Sequence, residues 1–180
     1  MTFSPVGFLP RKIVACPPEI GVDHVREIWS VSTCISPGPA DGWIQRWLHN
    51  RLGLFDTEDL ALSIVDHDVS YRPVAYRLWD ESFDQGRCTS LELSDIEASS
   101  PGPEYSVVGY DAVTEEGYFG HSPLSCNYGA RTFAVNMFCL FPTLEEALAG
   151  GMKFGGGEWE PGPYCVVEVL RKRGIHSIGG

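Results

Sequence analysis

The sequence predicts an α+β fold, with helices mainly in the N-terminal third and a mixed but mostly antiparallel sheet in the C-terminal part. Three observations predict it. Between residues 22 and 65 apolar side chains recur at helical spacing. Between residues 72 and 170 they come in short alternating or continuous runs. The 20 glycines and 13 prolines mark many turns, which disfavours a helical bundle. With 180 residues, 43% hydrophobic and 21% charged, the chain suits one globular domain over 1–180. A chain of this size buries roughly 70% of its unfolded surface and needs no disulfide or metal to fold.

The stretch "KIVAC" (12–16) reads as a short opening strand stopped by Pro17 and Pro18. A helix is predicted from about Asp23, a capping residue, with Val22, Val25, Ile28 and Trp29 on one face. "SPGPADG" (36–42) is a turn cluster. Asp41 then caps a second helix, striped by Trp43, Ile44, Trp47 and Leu48, with Arg46 and Asn50 outside the stripe. Residues 55–65 read as a third, short helix, or a helix passing into a strand, with Thr57 as its cap. The three tryptophans of these helices are assigned to the core.

Strands are predicted over Arg72–Trp79, Cys88–Leu93 and Tyr105–Val113. "EASSPGPE" (97–104) is a surface loop and the candidate break between subdomains. Thr132–Phe141 alternates most clearly, with Phe133, Val135, Met137, Cys139 and Phe141 on one face. Thr143 and Glu146 form a capping box for the helix that follows, which Gly150 and Gly151 end or weaken. After a glycine-rich turn (155–163), "YCVVEVL" (164–170) reads as a buried strand, and 174–180 as a frayed tail. The helix between the last two strands also permits one parallel crossover.

The net charge is −11, and it is unevenly placed. From residue 80 to 120, Asp80, Glu81, Asp84, Glu92, Asp95, Glu97, Glu104, Asp111, Glu115 and Glu116 face a single base, Arg87. That stretch carries −9 and the rest of the chain only −2. The only basic clusters are Arg11-Lys12 and Arg171-Lys172-Arg173, too few to track a nucleic-acid backbone. No apolar run approaches the ~20 residues of a membrane span, and no secretory signal opens the chain. The expected compartment is the cytoplasm. There the six scattered cysteines, without a CxxC pair, read as small buried hydrophobes.

The charge placement predicts a small acidic binding module that engages a basic protein partner, as an inhibitor, an immunity-type protein or a complex-assembly subunit would. Asp80, Glu81, Asp84, Glu92, Asp95, Glu97, Glu115 and Glu116 are the partner-binding candidates. Trp79 and Trp159 flank acidic turns and are candidate anchors. The alternative is an enzyme, a hydrolase or transferase, built on "HSPLSCN" (121–127). There Ser125 or Cys126 is the nucleophile and His121 the base, with Asn136 and Glu168 as polar residues inside apolar runs. The loop lacks a GxSxG elbow and also reads as a plain turn fixed by Pro123.

No metal and no cofactor are expected. His121 and Cys126 have four residues between them, and the thiolates considered to join them, Cys139 and Cys165, lie on buried strands without the paired short spacings of zinc sites. "DHD" (66–68) offers two carboxylates on one face only if it is a strand. "GGMKFGGGEWEPG" lacks the ending of a phosphate-binding loop.

Overall fold

The computed structural model describes residues 3–32, 34–35, 50, 53–79, 98–114, 121–156, 159–160 and 162–174. Strands β1 (Phe3–Arg11), β4 (Arg72–Trp79), β5 (Tyr105–Thr114) and β6 (Tyr164–Lys172) form a four-stranded sheet in the order β1-β4-β6-β5. Every pairing in it is antiparallel. Two-residue strands β2 (Val14–Ala15) and β3 (Glu27–Ile28) form a small ladder beside it. The helices are α1 (Glu58–Ser63), α2 (Pro123–Cys126) and α3 (Leu144–Phe154).

The described residues are therefore mostly sheet, and their three short helices are not gathered in the N-terminal third. This overturns the predicted distribution, though the coarse α+β class still describes a sheet with separate helices. The first strand begins at Phe3, where Pro5, Gly7 and Pro10 mask a strand pattern. Proline lacks a ladder donor, and β1 tolerates it because it is an edge strand. Gly7 sits in a bulge at φ 134°, and a Cβ there would meet the Phe55 carbonyl oxygen at 2.7 Å.

The helix predicted from Asp23 does not form. Its backbone donors go elsewhere: Arg26 N–H to Met137 O at 2.8 Å and Trp29 N–H to Phe138 O at 3.0 Å. Ile28 enters one core cluster and Trp29 the other, a period of two rather than 3.6. The second predicted helix and the strand Cys88–Leu93 lie outside the described residues. The third is present as α1, and Thr57 Oγ1 accepts from Leu60 N–H at 3.2 Å.

The alternation of Thr132–Phe141 does not make a strand either. Asn136 Oδ1 accepts from the N–H groups of Phe138 at 2.9 Å and Leu140 at 3.2 Å, and Cys139 is left-handed at φ 58°. This local polar alternative wins over a ladder. Phe133, Val135, Cys139 and Phe141 still reach the second core cluster, while Met137 stays 44% exposed. Phe141 exchanges both backbone bonds with Tyr110, covering the β5 edge.

The sheet divides the core. β6 shows why its sequence is a continuous apolar run: Cys165, Val167 and Val169 face one cluster, Tyr164 and Val166 the other. α1 packs with β1 and β4, and α3 with β5 and β6. α3 begins at the Thr143–Glu146 capping box and runs through Gly150 and Gly151 to Phe154. Among the described residues no helix is long and apolar enough to cross a membrane.

Candidate functional site

At the β5 edge four separate parts of the chain bring polar side chains together. Asp111 is wholly buried in β5. Its Oδ1 accepts from Ser122 Oγ at 2.6 Å and its Oδ2 from Val31 N–H at 2.7 Å. Burial pushes this carboxyl up to about 7, against the pull of those two bonds and of the Arg11 charge. Arg11, 3% exposed, donates from Nη2 to Ser32 O at 3.0 Å. Ser30 Oγ donates to Ser125 Oγ at 2.6 Å, with both residues fully buried.

This buried polar layer leads outward to three reactive side chains. The Ser32 hydroxyl lies 3.1 Å from Cys126 Sγ and also accepts from Ile35 N–H at 3.2 Å. The second bond closes the turn that presents Cys34. Cys34 Sγ is 3.6 Å from His121 Nδ1. One donor atom each from Cys34, His121 and Cys126 falls within 4.8 Å of the others, the single such trio among the described residues. Cys34 is exposed; His121 and Cys126 are half-buried.

Local structure explains the placement. Thr114 N–H, at the end of β5, donates to His121 O at 3.0 Å and anchors the histidine. Pro123 starts the single turn α2, whose Cys126 N–H returns to Ser122 O at 2.9 Å. Ser122 caps nothing with its side chain, which is committed to Asp111. Burial and the neighbouring Cys126 push the Cys34 thiol up to about 11, so it is a protonated thiol at neutral pH.

Of the five residues named for a catalytic centre, His121 and Cys126 meet here. Ser125 lies in the same turn, but its hydroxyl points inward to Ser30. Asn136 is spent on the backbone of Val108, Phe138 and Leu140. Glu168 pairs across the sheet with Arg77 and bonds Tyr110, its neighbours on β4 and β5. Burial raises its pKa, and Arg77 partly offsets the rise. Tyr110 and Asp111 are consecutive in β5, so Glu168 and Asp111 lie on opposite faces of the sheet.

Asp80, Glu81, Asp84, Glu92, Asp95, Glu97, Glu115 and Glu116 lie outside the described residues. Of the other acids in that stretch, Glu104 is exposed and Asp111 is interior. Asp66 and His67 occupy a left-handed turn, at φ 50° and 55°, so "DHD" does not alternate as a strand. Cys139 and Cys165 are buried in different core clusters, and neither belongs to the trio with His121. Burial holds the Cys139 thiol up at about 12.

Sequence reasoning missed Cys34, Ser30, Ser32, Arg11 and Asp111. A signal was present in "WSVSTC": polar residues at 30, 32 and 34 alternate with Trp29 and Val31. No family model matches the chain, and no curated protein or solved structure matches it.

Proposed function

We propose that this chain is an enzyme of the hydrolase or transferase kind, acting at the solvent-facing Cys34–His121–Cys126 centre. One observation carries the reading: a wholly buried polar layer, drawn from four parts of the chain, ends on an imidazole and two thiols at the surface. Buried polar groups are costly, and apolar packing would hold the fold more cheaply. His121 and the two thiols are the reactive groups of the centre, with His121 Nδ1 3.6 Å from Cys34 Sγ. Asp111, through Ser122, holds the loop that carries His121. The substrate class that suits such a centre is an ester with an electrophilic acyl or phosphoryl group.

Hydrolysis of nitrophenyl acetate and nitrophenyl phosphate by the purified chain tests this. Turnover of one of them should fall at least ~100-fold in both His121→Ala and Cys126→Ser, with circular dichroism unchanged. No turnover above buffer on either ester, or equal turnover in the variants, removes the reading.

A second reading rests on the −9 carried by residues 80–120. It makes that segment a docking surface for a basic protein, in the manner of an inhibitor, an immunity-type protein or an assembly subunit, within the reducing cytoplasm. Polylysine is a simple probe. Its affinity should fall tenfold or more between 50 and 500 mM salt, and also when Asp84, Glu92, Asp95 and Glu97 are changed to amides. A salt-independent affinity would rule this surface out.

A further inference from the structure

We propose that Cys34, His121 and Cys126 are three ligands of a site for a zinc-type divalent ion, with a fourth, open position that no described residue fills. The assignment of that open position to substrate or water rests on the enzymatic reading above; the metal site itself does not.

The geometry fits a tetrahedron. With Zn–S near 2.3 Å and Zn–N near 2.05 Å, tetrahedral angles give an S···N edge of about 3.6 Å and an S···S edge of about 3.8 Å. Cys34 Sγ and His121 Nδ1 are 3.6 Å apart. All three donor atoms lie within 4.8 Å, so the widest pair closes by at most about 1 Å to complete the set. Two thiolates and an imidazole are soft to borderline donors, which suit zinc and not magnesium or calcium.

The chain supplies the support that such ligands need. Cys126 has Ser32 Oγ at 3.1 Å, and one lone pair of that hydroxyl already takes the Ile35 N–H, which leaves its proton for the sulfur. The same bond shapes the turn bearing Cys34. His121 is pinned through its carbonyl to the end of β5. Two ligands therefore come from one short loop and the third from a distant turn, and the ion would cross-link them. Closed structural zinc sites use four protein ligands, whereas the three found among the described residues, one of them exposed, match the catalytic pattern.

The competing occupant of the same space is a disulfide between Cys34 and Cys126. Anaerobic titration of the full, reduced, metal-stripped chain with cobalt(II) separates the two. One equivalent should develop a thiolate-to-cobalt absorption band, and one equivalent of zinc should abolish it. Cys34→Ser and Cys126→Ser should each weaken zinc binding at least ~100-fold, and Ser32→Ala about tenfold. The proposal is overturned if the folded wild-type chain shows no band. It is equally overturned if the band survives loss of either cysteine, or if Cys34 and Cys126 are recovered as a disulfide after purification under reductant. Zinc binding without ester turnover leaves the metal site standing and removes the hydrolase. Turnover that resists a chelator, with no cobalt band, does the reverse.

Discussion

Asp111 is the residue on which the polar layer turns. Its folded pKa, about 7, lies well above the ~3.9 of an unfolded aspartate. Folding therefore favours its protonated form. The stabilisation is complete below about pH 4 and is lost as pH rises through about 7. Asp111→Asn, which keeps an acceptor for Val31 N–H, has no such dependence. The gap in melting temperature between wild type and variant should shrink, or change sign, from pH 5 to pH 8. A constant gap would mean that Asp111 is ionised throughout. Gly150 makes a second residue-scale case. In most helices alanine gains up to ~1 kcal/mol over glycine. Here a Cβ would overlap the ring of the buried Phe141 at its Cζ. Overpacking costs about 1–3 kcal/mol, so Gly150→Ala should destabilise, against the usual sign. Urea unfolding reads that sign directly, and a gain in stability would show that the contact yields.

Elements whose signal is local were legible in the sequence. Thr57 and Thr143 cap α1 and α3 as read, because the bond runs from a side chain to a backbone group three residues on. β4, β5 and β6 were also readable from their β-branched and aromatic runs. Residues 22–29 and 132–141 were misread because their periodicity is set by which cluster each side chain enters, a tertiary fact. Ile28 and Trp29 part across the core, and Asn136 folds its own segment into a turn. For the candidate site, His121 and Cys126 were legible from their loop. Cys34 was not, because it arrives from 87 positions away in sequence, on a turn made by Ser32. The cap at Thr143 is testable on its own. Thr143→Ala should cost about 1 kcal/mol. That lowers the melting temperature by roughly 2–4 °C in a chain of this size, and Thr143→Ser should restore most of it. An unchanged alanine variant would assign the start of α3 to packing alone.

At the scale of the whole molecule, the sheet is the shared wall of two core clusters, and neighbouring residues of β6 belong to different ones. Val167 lies wholly buried in the first and Val166 in the second. Their backbones are adjacent in one central strand held by β4 and β5 on either side. A cluster that opened alone would have to tear the ladder that also supports the other, so the two are expected to unfold together. Removing two methyl groups from either valine costs on the order of 2 kcal/mol. For a chain of this length that is a shift of roughly 4–8 °C. Val166→Ala and Val167→Ala should therefore each displace a single calorimetric transition by a similar amount, with calorimetric and van't Hoff enthalpies equal in both. If one substitution moved only part of the heat-absorption profile, its cluster would be a separate folding unit. The polar layer at the β5 edge would then sit on a boundary between two units rather than inside one.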